Sequence, residues 1–535
     1  MQTISSQKRT SAWFRLLLVI LVLGIFFRFF NLDKKLYWID ETYTSLRFSG
    51  YTEAEMRPRF HQGQILLNED MQKYKQFNPE TTVFDTIKSL ATEDPQHPPI
   101  YYILIRYWVQ WFGNSISTIR SLSAILSLLI FPCLYWLCME LFNSQNVALT
   151  AIAIVAISPF HVLYAQEARE YGLWTGTILL SSAVLLWAMR TKTKKSWIIY
   201  AISIILGLYT YIFTALVALS HGTYVIAIEK KLTKTVKNYL LTSTVGFLTF
   251  IPWILVVLTN RKRIQDTTSW SAENTTPLSL VTRWAGNLSR IFIDLGFDAS
   301  ESSSKVAFLI PIILLLLVLV GYSIYFLVKT TPKRVWLFIL TLVGVTAILL
   351  IVPDLILGGR RSGTARYLIP CFLGIQISVA YLIATKINQL SRGRQKWKLI
   401  AIALLSCGIL SCTISSQAQE WWNKGTALEP GIPQMAAIIN SSDQPLLICQ
   451  DNMLSVLWSF SYRLKPKVGL QLVFDHDKLP KIPEEFRDVF LYKPDVALRE
   501  EMEKHHRVLK PIEKLGKLKD RLLQVEMYEK MKVKG

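Results

Sequence analysis

The sequence predicts a polytopic α-helical membrane protein with about eleven transmembrane helices and interfacial helices on its outer face, followed by a small soluble α/β domain. Three observations carry this reading. Apolar runs of close to twenty residues recur through the first three-quarters of a 535-residue chain that is 51% hydrophobic, and roughly 20 apolar residues let a helix cross a ~30 Å hydrocarbon core. Short basic clusters sit between those runs, where the positive-inside rule puts them. From residue 417 onward the long apolar runs stop and Lys and Glu become frequent.

The formal net charge of +21 invites a nucleic-acid reading, but much of it lies in the short inter-span clusters, which argues for membrane orientation instead. The six cysteines, Cys133, Cys138, Cys371, Cys407, Cys412 and Cys449, show neither a disulfide framework nor metal-ligand spacing. The N-terminus has a basic start (Lys8, Arg9, Arg15) and an apolar run, but Phe-Phe-Arg-Phe-Phe-Asn-Leu-Asp follows where a cleavage site would need small residues. This reads as an uncleaved signal anchor.

The first span covers about Trp13 to Asn31, with its basic start inside. Residues 33–118 form the first outer loop, with short amphipathic pieces at Ile65-Leu66-Leu67 and from Val83 to Leu90. Within it, Ile100 to Phe112 is apolar but only about thirteen residues long, short of the ~17 needed to span. Its Ile100, Ile103, Leu104, Tyr107, Trp108 and Trp111 make one helical stripe, with Tyr102, Arg106 and Gln110 on another face, the pattern of an interfacial helix. If this segment does not cross, spans follow near 119–142, 147–160, 172–189, 196–210, 211–228, 238–258, 306–328, 335–352, 367–385 and 397–416. The basic segments 190–195, 230–237, 329–334 and 386–398 then all fall inside; if it does cross, all four fall outside. The chain therefore divides into a transmembrane domain, 1–416, and an extracytoplasmic domain, 417–535, in a plasma (inner) membrane with the N-terminus cytoplasmic. The hairpin at Tyr209-Thr210-Tyr211 has almost no loop. In the C-terminal domain, residues 445–449 and 488–492 read as strands, Met453 to Tyr462 as a helix and Val496 to His506 as a charged helix.

Three polar constellations lie on the outer side. Asp40 and Glu41 follow the first span and the aromatic pair Tyr37 and Trp38, which suit a membrane interface; the rival reading is a solvated acidic loop end. Ser158 to Gly172 contains Tyr164, Gln166, Glu167, Arg169, Glu170 and Tyr171, and at helical spacing Gln166, Arg169 and Glu170 share a face; the rival reading is a self-satisfied ion pair. Arg360, Arg361 and Arg366 crowd a short outer loop against the orientation rule, which implies a counter-charge there. A phosphate fits because guanidinium binds it bidentately, whereas the rival is a basic loop on lipid headgroups. His97, beside Pro98 and Pro99, is a fourth candidate. A base together with cations and no evident acid suits group transfer from a lipid phosphate, because the leaving phosphate needs cations and the incoming hydroxyl needs a base.

The acidic pair after the first span, the His-Pro-Pro-x-Tyr-Tyr helix, the Ser-Pro-Phe-His-x-x-Tyr-Ala-Gln-Glu-Ala-Arg segment and the late Arg-Tyr-Leu-x-Pro span resemble the bacterial dolichyl-phosphate-mannose-protein-mannosyltransferase-like family. These are multi-span glycosyltransferases of GT-C fold, related to protein O-mannosyltransferases and lipid A aminoarabinose transferases. The resemblance runs over residues 13–385, and the C-terminal domain carries no matching motif. It implies that Asp40 is the catalytic base and Glu41 its neighbour. It also implies that His97 stands near a phosphate-binding lysine position, and that Arg169 and Arg366 bind phosphate or shape the site, with Tyr164, Gln166, Glu167 and Tyr171 lining it. The expected activity is inverting transfer of one sugar from a polyprenyl-phosphate donor to a lipid, glycan or protein acceptor at the outer face, with membrane lipids as partners and no nucleic acid. The residues require no cofactor, since arginines can neutralise the phosphate, while a divalent metal on Asp40 and Glu41 stays compatible with them. The rivals are a polyprenyl-linked glycan ligase or polymerase and a lipid or solute transporter; a transporter would place broken or ionisable segments at mid-membrane.

Overall fold

The computed structural model describes residues 2–297, 303–389, 393–424, 430–474, 482–505 and 507–527. Residues 298–302 of the 259–305 loop, 390–392 of the basic 386–398 segment and His506 of the expected charged helix lie outside them. The chain forms two compact units: residues 1–32, 90–104 and 117–417, and residues 33–89, 105–116 and 418–535.

The first unit is helical. Among the described residues six helices are long and apolar enough to cross a membrane: Ile116–Phe142, Tyr171–Thr191, Leu309–Thr330, Lys333–Leu357, Ala365–Asn388 and Arg394–Gln417. Two further pairs, Gln145–Ala156 with Pro159–Ala165 and Lys234–Thr249 with Ile251–Thr259, qualify as single spans bent by 63° and 52°, giving up to eight. The protein is thus a multi-pass membrane protein. Helix starts are set by hydroxyl caps: the side chains of Ser144, Thr193 and Thr233 each accept from the backbone N–H three residues on.

The first bend has a clear cause. Pro159 has no N–H to offer the carbonyl of Val155, so the helix breaks and its last carbonyls need other donors. The buried guanidinium of Arg28 supplies them, donating to Ala156 O at 2.5 Å and Val155 O at 3.4 Å, while Cys412 Sγ–H reaches Ile157 O at 3.4 Å. Glycine lets the flanking helices come this close: a Cβ on Gly24 would meet Ala156 O at 2.5 Å and one on Gly408 would meet Ile157 O at 2.8 Å.

The second unit is a mixed six-stranded sheet. Its strands are β1 (Leu66–Leu67), β2 (Pro445–Gln450), β3 (Gly469–Val473), β4 (Asp488–Tyr492), β5 (Arg507–Pro511) and β6 (Leu522–Met527), in spatial order β1-β3-β2-β4-β6-β5. β2 runs parallel to both β3 and β4, and the remaining pairs are antiparallel. Both faces of the central strand are covered: Leu446 and Ile448 join one apolar cluster, Leu447 and Cys449 the other. That two-sided burial is why β2 reads in sequence as an unbroken apolar run. The expected helices appear as Leu454–Ser461 and Val496–Lys504.

The second cluster also contains Leu36, Trp38, Leu46, Met56 and Phe60. The structure therefore corrects the interfacial reading of Tyr37 and Trp38. Tyr37 is fully buried, its hydroxyl 2.8 Å from Ser45 Oγ and its ring 4.4 Å from that of Tyr462, while Trp38 belongs to the apolar core of this unit. Core packing, not lipid headgroups, satisfies both rings.

The short helix Ile100–Phe112 forms with the expected bounds. Leu104, Tyr107 and Trp111 are exposed, as is Gln110, whereas Tyr101, Tyr102, Ile105 and Val109 are buried together with Arg106, which donates to Phe48 O at 2.7 Å and also to Asn78 O and Thr81.

Candidate active site

In the first unit two candidates, His97 and Arg169, meet in one cluster with Glu170. His97 sits in a turn closed by its own N–H onto Asp94 O at 2.9 Å, just before Pro98 and Pro99 lead into the short helix. Arg169 Nη2 donates to His97 Nε2 at 2.8 Å. Because arginine only donates, that ring nitrogen is an acceptor, and the imidazole proton rests on Nδ1, which donates to Glu170 Oε1 at 2.7 Å. Both nitrogens of His97 are thus used, and its ring bridges Arg169 and Glu170.

Glu170, fully buried, was missed as a site residue in its own right. Burial alone would push its carboxyl up, but His97 and Arg169 beside it outweigh burial and hold it well below the usual carboxylate range. Arg169 Nε lies 3.8 Å from Glu170 Oε2, so charge as well as hydrogen bonding joins the three.

The expected shared face of Gln166, Arg169 and Glu170 does not form. Helix Pro159–Ala165 ends at Gln166, and the next helix begins at Tyr171. Gln166 Nε2 instead donates to Phe27 O and Phe30 O, 2.8 Å each, closing the end of the first helix. Glu167 is fully buried, and Tyr164 stacks edgewise on Tyr171 with ring centroids 5.3 Å apart.

Tyr211, also missed, lies beside this cluster. The nearly loopless hairpin leaves it extended between helices Lys194–Thr210 and Thr214–Glu229, with its ring 6.4 Å from His97 and 5.8 Å from Tyr171.

The three loop arginines divide. Arg360 donates to Trp270 O at 2.7 Å and pairs with Glu273 at 2.9 Å; Arg361 pairs with the buried Asp354 at 3.1 Å. Asp354 also accepts from the N–H and hydroxyl of Ser362 at 2.6 and 2.7 Å. Each of these two arginines thus has a protein carboxylate as a counter-charge. The Arg366 guanidinium lies over three aromatic rings, those of Tyr171, Trp270 and Tyr367, at 5.7, 5.6 and 5.5 Å.

In the second unit, Asp40 and Glu41 occupy the first turn of helix Ile39–Ser49, where the helix dipole favours negative charge. Asp40 is partly exposed. Glu41 is fully buried, its Oε2 3.1 Å from the equally buried Nζ of Lys424. No sequence pattern marks Lys424, which stands 383 residues away among Trp421, Trp422 and Asn423. Among the described residues no cluster of three or more His, Cys, Asp or Glu could hold a metal.

Comparisons with known proteins agree with this architecture. The dolichyl-phosphate-mannose-protein mannosyltransferase family matches residues 96–255, the stretch that carries His97, Arg169 and Glu170. ArnT from Cupriavidus metallidurans bound to undecaprenyl phosphate aligns with a TM-score of 0.53 at 14% identity, covering 96% of this chain and 98% of that one. The apo form of the same protein aligns with a TM-score of 0.53 at 12% identity, covering 97% and 98%. AglB from Archaeoglobus fulgidus, an archaeal oligosaccharyltransferase, aligns with a TM-score of 0.48 at 13% identity over 86% of this chain and 65% of that one. No curated protein matches. The chain therefore has a GT-C-type polytopic membrane fold with a small C-terminal α/β domain, similar in fold to ArnT and matched over residues 96–255 by the dolichyl-phosphate-mannose-protein mannosyltransferase family.

Proposed function

We propose that this protein is an inverting glycosyltransferase that moves one sugar from a polyprenyl-phosphate donor to an acceptor hydroxyl. The observation that carries the reading is the full-length likeness to a structure that binds undecaprenyl phosphate, together with the mannosyltransferase-family match over the stretch that carries the His97, Arg169 and Glu170 cluster.

In this reading Asp40 takes the acceptor proton as the oxygen attacks the anomeric carbon from the face opposite the phosphate. The glycosidic bond forms as the bond to phosphate breaks, and polyprenyl phosphate leaves. Arg366 and Arg169 neutralise the leaving phosphate, with Arg169 aimed by His97, while Tyr164, Tyr171 and Tyr211 pack edge to face with one another beside His97. Arg360 and Arg361 hold the loop through Glu273 and Asp354. No metal is needed for this step, and Glu41 already carries an ammonium.

The Asp40→Asn variant preserves shape and removes the base. Turnover should fall by roughly 10²–10⁴-fold with donor binding intact, measured as single-turnover transfer from a labelled polyprenyl-phosphate sugar. Parent-like turnover would exclude Asp40 as the base.

The topology belongs to the same proposal: eleven spans, N-terminus cytoplasmic, Lys192 inside and residue 450 outside. The helices beyond the eight described above are Gln2–Phe29, Lys194–Thr210 and Thr214–Glu229. In a cysteine-free background, an impermeant thiol reagent should label a cysteine placed at the exposed position Asp443, just ahead of β2, in intact spheroplasts and leave one at 192 protected; the opposite pattern rejects the orientation.

A further inference from the structure

Helix Ile39–Ser49 is fastened to the C-terminal segment of its own unit at points on either side of Asp40. Leu36 N–H donates to Gln419 O at 2.7 Å, Ser459 Oγ donates to Tyr37 O at 3.2 Å, and Trp458 Nε1 donates to Thr42 O at 3.1 Å. Between these attachments lies the one between Lys424 and Glu41. Lys424 is presented by a tight turn in which Trp421 N–H donates to Lys424 O at 3.0 Å and Lys424 N–H donates to Trp421 O at 2.8 Å, with the Trp421 ring buried.

Two consecutive carboxylates in one helical turn repel each other, and a buried one without a cation would take up a proton or turn outward. Either response changes where its neighbour stands and what field it feels. We propose that Lys424 is a positioning residue for Asp40: by neutralising Glu41 and pinning the first turn of this helix, it sets the place of the Asp40 carboxylate. The C-terminal α/β domain thereby takes part in the reaction although none of its residues need touch the substrate. This inference rests on the reading of Asp40 as the base.

The test compares full-length Lys424→Met, Lys424→Arg, the double variant Glu41→Gln/Lys424→Met and Asp40→Asn, each reconstituted in lipid nanodiscs. The probe is undecaprenyl phosphate bearing a radiolabelled hexose or pentose, chosen from a panel as the one the parent consumes. Lys424→Met should lower kcat by at least ~10-fold while donor KM changes less than about twofold, as expected when an interaction made only in the transition state is weakened. Lys424→Arg should retain most of the rate. The double variant, which removes both buried charges, should recover to within about fivefold of the parent, since deleting both partners of a buried pair is far milder than deleting one.

A purely architectural lysine would give no such split between kcat and KM and no rescue by the double variant. Parent-like kcat in Lys424→Met, or a double variant no better than Lys424→Met, overturns the inference. If Lys424→Met does not fold, the double variant decides alone: folded and active supports the proposal, folded and inactive overturns it. Parent-like turnover in Asp40→Asn overturns the reading beneath it, whereas an inactive Asp40→Asn beside an unaffected Lys424→Met overturns only the role of Lys424.

Discussion

Glu170 in the helical unit and Lys75 in the sheet unit are both buried charges, and the two units treat them in opposite ways. Glu170 has an arginine and a histidine against it, and its ionised form is favoured despite burial. Lys75 meets Ser461 O at 2.8 Å, Asn68 Oδ1 at 3.5 Å and the Tyr462 ring at 4.8 Å, and among the described residues no carboxylate stands within ion-pair distance. Burial pushes its ammonium down to about 7. The lesson is that depth alone does not decide ionisation here; the presence of a counter-charge does. A cluster with its counter-charge built in can keep its cation ionised when buried, while a lone ammonium is a soft spot in its unit.

The comparison breaks most visibly at Glu170. Glu170→Gln leaves Arg169 buried beside a neutral partner, which should cost about 3–5 kcal/mol of stability, read as a large drop in thermal-unfolding midpoint of the detergent-solubilised protein. A small change would mean that the cluster does not depend on its acid.

Next comes Arg366 against Arg361. Arg366→Ala should weaken polyprenyl-phosphate binding at least tenfold, the loss of a charge-assisted bond worth roughly 1.5–3 kcal/mol. Arg361→Ala should leave binding within about twofold and cost ~1–2 kcal/mol of stability, because Asp354 keeps its bonds from Ser362. Equal effects on binding from both would restore the view that all the loop arginines hold phosphate.

The smallest effect should be at Lys75. Its folded pKa lies below its unfolded value of 10.5, so between about pH 7 and 10.5 the unfolded chain binds more protons and this group makes stability rise with pH. Below about pH 7 the full cost of burying the charge is present. Lys75→Met should therefore be the more stable protein at pH 6, by ~1 kcal/mol or more, with the advantage over the parent shrinking as pH approaches 10.5. An advantage independent of pH would mean that packing, not charge, explains it.

Hydropathy and the positive-inside pattern made most of the helical unit legible, because a membrane helix satisfies its backbone from its own sequence neighbours; the length and stripe of Ile100–Phe112 gave that short helix its bounds. In the sheet unit the two expected helices were legible, but of the strands only β2 and β4, where burial is two-sided. β3 and β6 do alternate, as Leu470-Gln471-Leu472 and Leu523-Gln524-Val525-Glu526-Met527, but over only three to five residues, too short a run to stand out in a Lys- and Glu-rich segment. Arg169 was found from its motif. Glu170 and Tyr211 become visible only when the turn at His97 and the break before Thr214 bring them together. Lys424 and Asp354 left no local trace, because an ion pair across 383 residues and one across seven both depend on where the chain turns.

The register of β1 sets a clock for biosynthesis. Leu66 pairs with Leu470, and the core beneath them draws on Leu36, Trp38, Met56 and Phe60 from the start of the chain and on Leu447, Leu457 and Leu472 from near its end. A ribosome adding ~5–20 residues per second needs about 20–80 s to make the roughly 400 residues between those partners. For that interval the early apolar side chains have no core to enter, so they need a holding chaperone or must crowd together on their own. A chain stopped before β2 would never release them, which makes nonsense mutations late in the coding sequence a hazard to the whole protein and not to its last domain alone.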